Sequence, residues 1–239
     1  YCMPAAGVPF KPHNEILSYE EIVRLVKAGA GLGIRRLRIT GGEPLVREGL
    51  PCLIRQLKAI PGISELSLTT NGTLLAPLAE ELKMAGLDRV NISLDTLQED
   101  KFAAITRSDQ LNQAWAGIEA ALAAGLKPVK INTVALRGIN DDELSSLARL
   151  TLKYPLHVRF IEVMPLGDDL NWAREHILSL DQIKAQVERV GELVPASVPG
   201  AGPARVFRYR SSLGTVGFIA ALSHGFCQHC NRMRLTADG

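Results

Sequence analysis

Short apolar runs rich in β-branched residues recur at 36–40, 65–70, 89–95, 128–134 and 157–164, and each predicts a strand. Between them, at 19–31, 50–59, 76–85, 111–124 and 141–154, apolar residues return with the spacing that lines one face of a helix. Several of these helices carry end signals. Ser18 with Glu21 reads as a capping box, Asn140 and Asp141 open a helix, and Gly86 or Gly125 closes one. The alternation predicts an α/β fold of parallel strands joined by crossover helices. After about residue 191 the pattern breaks into Pro- and Gly-rich sequence at 194–203, followed by β-like runs at 205–209 and 216–221. We therefore expect a main domain over 1–190, then a linker and a smaller β-containing element over 191–239.

A doubly wound sheet and a β/α barrel share this rhythm. The barrel is favoured by where polar residues fall, because they gather at the C-terminal ends of the predicted strands, where a barrel builds its active site. They are Thr40 to Glu43, Thr69 to Gly72, Ser93 with Asp95, Asn132 with Thr133, and Glu162 with Met164.

Composition narrows the function classes. The chain has 239 residues with 46% apolar and 22% charged, enough to bury a sizeable core. Its 27 Lys and Arg against 25 Asp and Glu leave a net charge of +2, so nothing implies nucleic acid as a main partner. The longest apolar candidate for a membrane span, 114–126, is interrupted by Glu119, so a soluble protein is expected. The first residues lack the basic start and apolar run of a secretory signal, and the chain begins with Tyr1, which suggests that its natural beginning lies upstream. Four irregularly spaced cysteines fit a reducing compartment better than a disulfide framework, and a cytoplasmic location is expected.

Candidate chemistry lies in short segments. Thr40-Gly41-Gly42-Glu43-Pro44 follows a strand, so its glycines allow close backbone approach to a small polar ligand while Glu43 offers a carboxylate; a plain turn with a solvated Glu explains it equally. Thr69-Thr70-Asn71-Gly72 poses the same choice. Cys227-Gln228-His229-Cys230 places two thiolates where they hold zinc or one edge of an iron–sulfur cluster, though one pair completes neither site and a redox role stays open. Arg232 and Arg234 offer guanidinium forks to phosphate or carboxylate, or else decorate an exposed strand. Lys130 binds an anion if it faces a barrel mouth and is merely solvated if it does not. Cys52 reads as a small buried thiol and no ligand. His13, His157 and His176 show no metal spacing and read as surface or core residues, while Trp115 and Trp172 read as packing residues.

Tyr1-Cys2-Met3-Pro4, the run from Arg38 through Pro44, Thr69-Thr70-Asn71-Gly72, Asn91-Ile92-Ser93-Leu94-Asp95 and the ending Phe226 to Gly239 together closely resemble the GTP 3′,8-cyclase family of molybdenum-cofactor biosynthesis. That family belongs to the radical S-adenosylmethionine (SAM) enzymes. The resemblance extends over essentially the whole chain, and its Cys-x-x-Cys-Asn-Arg-x-Arg-Leu-Thr-Ala-Asp-Gly ending is far more specific than the Gly-Gly-Glu-Pro turn. It implies a partial (β/α)6 TIM-like barrel with two 4Fe-4S clusters and SAM. Cys2 would be the last thiolate of the first cluster, which reductively cleaves SAM to a 5′-deoxyadenosyl radical. This radical takes the ribose 3′ hydrogen of GTP, and the resulting carbon radical attacks C8 of the guanine. Cys227 and Cys230 would hold the second cluster, beside which the guanine binds.

By matching motif positions, Tyr1, Gly42, Ser93 and Met164 correspond to SAM contacts, with Glu43 shaping the pocket for its amino group. Arg38, Thr69, Lys130, Arg232, Met233 and Arg234 correspond to GTP contacts. The resemblance also implies a homodimer, an electron donor that the sequence does not name, and hand-off of product to the next enzyme of the pathway. The family's first two radical-cluster cysteines and an N-terminal Arg would precede Tyr1; the third cysteine of the second cluster and a Gly-Gly tail would follow Gly239. On this resemblance the chain is expected to be an internal segment of a longer protein, inactive by itself. Two other readings are a radical SAM enzyme acting on a peptide or RNA, against which the Asn-Arg-x-Arg ending argues, and a zinc-stapled binding module.

Overall fold

The computed structural model describes residues 7, 11–165, 170–198, 202–223 and 231–239. Its first helix, α1 (Tyr19–Gly31), begins with the capping box: Glu21 N–H donates to Ser18 Oγ at 3.2 Å and Ser18 N–H donates to Glu21 Oε2 at 2.8 Å. Two helix-end donors are satisfied reciprocally. There follow β1 (Arg36–Ile39), α2 (Leu50–Lys58), β2 (Glu65–Thr70), α3 (Ala79–Met84), β3 (Arg89–Ser93), α4 (Glu99–Thr106), α5 (Leu111–Ala123) and β4 (Val129–Ala135). Then come α6 (Leu144–Lys153), β5 (Leu156–Glu162), α7 (Leu170–Glu175), α8 (Leu180–Glu188), β6 (Leu193–Pro195), β7 (Arg205–Tyr209) and β8 (Thr215–Ile219).

Every strand and helix expected from periodicity is present, with ends shifted by a residue or two. The helices expected at 76–85 and 141–154 begin as single 3-10 turns, Ala76–Leu78 and Asp141–Glu143. Asn140 does not cap with its side chain: it accepts from Leu136 N–H at 2.8 Å and donates to the Asp95 and Val134 carbonyls at 2.7 and 2.9 Å. Cys52 is exposed, contrary to expectation, because α2 buries Leu50, Leu53, Ile54 and Leu57 and turns position 52 outward. The short helices α4, α7 and α8 and strand β6 are additions to the elements that periodicity predicts. Phe102 is the buried residue of α4, too little to mark an apolar face, and β6 exists by pairing antiparallel with β7, Leu193 opposite Tyr209. Among the described residues no helix is long and apolar enough to cross a membrane.

The chain divides into two compact units. One comprises the described residues of Met3–Asn91, Gln113–Lys127 and Asn231–Gly239. Here β1 and β2 pair in parallel, with Arg36 opposite Glu65, Leu37 opposite Leu66, Arg38 opposite Ser67 and Ile39 opposite Leu68. Because side chains alternate along a strand, Leu37, Ile39, Leu66 and Leu68 share one face and Arg36, Arg38, Glu65 and Ser67 the other. Helix α2 lies against β2 and contributes Leu53, Ile54 and Leu57 to the core.

The other unit comprises the described residues of Ile92–Asn112 and Pro128–Cys230. Its strands run β4-β5-β8-β7-β6, the first three parallel and the last two antiparallel. Register places Ile131, Val158 and Val216 in one row and Thr133, Phe160 and Phe218 in the next, against α6 and α8. The opposite face carries Lys130, His157 and Thr215, then Asn132, Arg159 and Gly217.

Parallel strands covered by helices on both faces are near-continuously apolar. These strands instead alternate, which reserves one face for polar side chains. Neighbouring strands also follow chain order, β1-β2 in the first unit and β4-β5 in the second, with β3 divided between the units, without the reversal of a doubly wound sheet. This is the winding of a partial β/α barrel.

Candidate functional site

In the first unit, Glu43 joins two turns that the sequence shows only separately. Its carboxylate accepts from Leu45 N–H at 3.0 Å, from the Thr70 hydroxyl at 2.7 Å and from Asn71 N–H at 2.7 Å. Three of roughly four acceptor positions are thereby used, leaving one for a cationic ligand group. The backbone is accessible beside Gly42, where a Cβ would meet nothing within 4 Å. Thr69 Oγ1 accepts from Asn91 Nδ2 at 3.1 Å.

Arg38 stands on the polar face of β1. Desolvation first, then the positive fields of Arg89 and Arg232, lower its pKa from the ordinary arginine value, while Glu65 opposes them. Arg38 and Arg232, predicted as GTP contacts, are thus brought within electrostatic reach of each other. Glu65 pairs with Arg89, whose Nε donates to Oε1 at 2.9 Å, and the buried Arg89 Nη1 has no partner. Positive charge exceeds negative on this face, which suits an anion.

Segment 231–239 forms no strand, so the decorated-strand explanation of Arg232 and Arg234 is set aside. It is held to the region before α1 by Leu17 N–H donating to the Ala237 carbonyl at 2.7 Å and by the Lys11–Asp238 ion pair. Lys11 first, with the Thr236 hydroxyl, holds the Asp238 carboxyl down at about 2. Arg232, Met233 and Arg234 are exposed.

In the second unit an open cavity of about 60 Å³ is lined by Lys130, His157, Arg159, Thr215 and Gly217 together with apolar residues. Lys130 and Arg159 are only 8% and 9% exposed. His157 Nδ1 lies 2.7 Å from Thr215 Oγ1, and burial first, then Lys130 and Arg159, push its pKa down to about 4. The described residues lining the cavity include no carboxylate. Two buried cations beside a neutral imidazole make this a site for an anionic group. Sequence reading singled out Lys130 but missed His157 and Arg159, although polar residues at alternate positions of β5 were a signal. In the same row as Arg159, the buried Asn132 Oδ1 has no partner.

Glu162 ends β5 and is buried, 2% exposed. It accepts from Leu180 N–H at 2.9 Å, Leu222 N–H at 2.9 Å, Ser223 N–H at 2.9 Å and the Ser223 hydroxyl at 2.7 Å. Burial alone would raise its pKa, but the bonds from Ser223, Leu222 and Leu180 outweigh burial and lower it. With its acceptor positions filled, Glu162 is a structural clamp on the chain just before Cys227. Glu162→Gln is expected to lower stability at neutral pH by about 2 kcal/mol, roughly 4–8 °C in Tm. A lowered folded-state pKa stabilises above the unfolded value, so this difference should shrink as pH falls below about 4. Thermal melts of both proteins across that range would show it; equal Tm values at neutral pH would refute the clamp.

Of the remaining predicted residues, Ser93 is exposed at the end of β3 and Met164 is 42% exposed just after β5. Tyr1, Cys2, Cys227 and Cys230 lie outside the described residues.

The Radical SAM superfamily model matches residues 1–151, and the Molybdenum Cofactor Synthesis C model matches 156–239. The chain is 52% identical to the GTP 3′,8-cyclase of Heliobacterium modesticaldum and 53% identical to that of Moorella thermoacetica, each over all of this chain and 74% of the relative. Among solved structures, it is similar to a radical SAM methyltransferase from Sphaerobacter thermophilus, with a TM-score of 0.58 at 19% identity over 73% of this chain and 54% of that one. It is also similar to the hydrogenase maturase HydG, with a TM-score of 0.52 at 13% identity over 73% of this chain and 42% of that one. At those identities the likeness is one of fold, and it agrees with the expected radical SAM α/β architecture.

Proposed function

Because the chain belongs to the GTP 3′,8-cyclase family of radical SAM enzymes, we propose that the protein carrying it cyclises GTP with SAM in the first step of molybdenum-cofactor biosynthesis. The structural observation that carries this reading is the cavity with buried Lys130 and Arg159, which suits a triphosphate.

The family uses SAM and 4Fe-4S clusters, and the residues present fit them. Open space at Gly42 and the remaining acceptor position on Glu43 suit a cofactor that presents an amino group. The thiolates of Cys2, Cys227 and Cys230 are the donors that iron–sulfur clusters take. When bound, cluster and SAM together supply a reductively generated hydrogen-abstracting agent.

The chain's own residues bind and orient. We assign Tyr1, Gly42, Glu43, Ser93 and Met164 to SAM, Cys2 to the first cluster, and Cys227 and Cys230 to the second. Lys130 and Arg159 neutralise phosphates, while Arg38, Thr69, Arg232, Met233 and Arg234 position the rest of GTP. A main domain over 1–190 is followed in this proposal by a cluster-binding element. The protein acts as a cytoplasmic homodimer that receives electrons from a separate donor and passes its product to the next enzyme of the pathway.

The test is anaerobic reconstitution of the protein with iron and sulfide, followed by assay with SAM, reductant and GTP. GTP-dependent 5′-deoxyadenosine and a cyclised guanosine triphosphate are expected. Intact clusters and GTP binding without either product would overturn the assignment.

A further inference from the structure

His157 has no part in the motif-based assignment, yet it sits in the row between Lys130 of β4 and Thr215 of β8. Its Nδ1 is engaged by Thr215 Oγ1 at 2.7 Å, which leaves Nε2 as the ring nitrogen for a ligand. We propose that His157 is a proton-accepting contact for the anionic end of GTP, so that filling the cavity with the triphosphate draws one proton from solvent onto the imidazole. The inference rests on the reading that this cavity takes the triphosphate.

The charges around the ring decide the direction. Lys130 faces it from β4 and Arg159 from its own strand. From β8 come Thr215 and Gly217, and Val198, Gly202, Ala204 and Val206 close the remaining side without an ionisable group. Farther along β7, Arg208 donates to the Ser212 carbonyl at 3.4 Å. Burial and two cations by themselves keep the imidazole neutral, with a pKa of about 4. Several phosphate charges invert that field, and the low polarity that disfavoured an isolated imidazolium strengthens its attraction to phosphate. Once protonated, both ring nitrogens donate, Nδ1–H to Thr215 Oγ1 and Nε2–H to a phosphate oxygen.

Proton uptake makes affinity rise as pH falls between the free and bound pKa values, by at most about tenfold per pH unit. The γ-phosphate of GTP, which titrates at about pH 6, acts in the opposite sense. The experiment therefore compares wild type with His157→Gln, which keeps a hydrogen-bonding side chain that does not titrate. GTP is titrated calorimetrically into the cluster-loaded protein at about pH 6, in two buffers of different ionisation enthalpy, to count protons taken up. Wild type should take up more protons than the His157→Gln protein, by roughly half a proton or more, and its affinity should rise several-fold relative to that protein between about pH 7.5 and pH 6. Equal proton counts overturn the proposal. Lys130→Met separates the two levels: if it weakens GTP while the proton counts stay equal, the His157 role falls alone. If neither substitution changes GTP affinity, the reading of the cavity falls and the His157 role falls with it.

Discussion

Lys130→Met is expected to weaken GTP binding about 10- to 100-fold while leaving SAM binding unchanged. The magnitude follows from removing one charge-assisted contact, worth about 1.5–3 kcal/mol, when each 1.4 kcal/mol is about a factor of ten. Met keeps most of the aliphatic stem, so the packing of a side chain only 8% exposed is retained and the loss reports on charge. The ligand-free protein should lose little stability, because the substitution exchanges a desolvated cation for an apolar side chain of similar shape. A binding titration with GTP, paired with a thermal melt of the free protein, checks both halves. GTP affinity within twofold of wild type would remove the cavity from the GTP site.

Gly117→Ala should lower stability by about 3 kcal/mol, or roughly 6–12 °C in Tm, and weaken binding at the turn beneath it. Helix propensity alone argues the reverse, since Ala is better than Gly inside a helix by about 1 kcal/mol. The structure overrides propensity because a Cβ on Gly117 would lie 2.2 Å from the Gly72 carbonyl oxygen and 3.2 Å from Leu75 Cβ. Neither α5 nor the turn yields cheaply. Gly72 has φ 84°, and the preceding Thr70 and Asn71 are tied to Glu43. Displacing that turn should therefore also disturb the Gly42-Glu43 segment assigned to SAM. A circular-dichroism melt decides the sign, and a raised Tm would show that the close approach of α5 to Gly72 is wrong.

The two predictions differ in what sequence reading could offer them. Lys130 was a candidate from its place on an expected strand, but whether it faced a ligand or solvent depended on register with β5. Nothing in the sequence marks Gly117, because a helical pattern does not reveal which residue touches a turn formed some 45 positions earlier. Likewise Glu162 read as one polar residue at a strand end, whereas its partners lie 18, 60 and 61 positions away.

The amino-acid sequence by itself determined the alternating elements, the Ser18–Glu21 cap, the change of character near residue 191 and the family motifs. Each is encoded in neighbours: a strand's period of two, a helix's period near 3.6, a cap three residues long, or a run of named residues. Only the tertiary structure decided that Cys52 faces outward, that Glu43 binds Thr70 and Asn71 together, and that Lys130, His157 and Arg159 share one cavity without a carboxylate among its described residues. Strand register and helix packing join residues far apart in the chain, and the burial and electrostatic field that set their chemistry exist only once those partners have met.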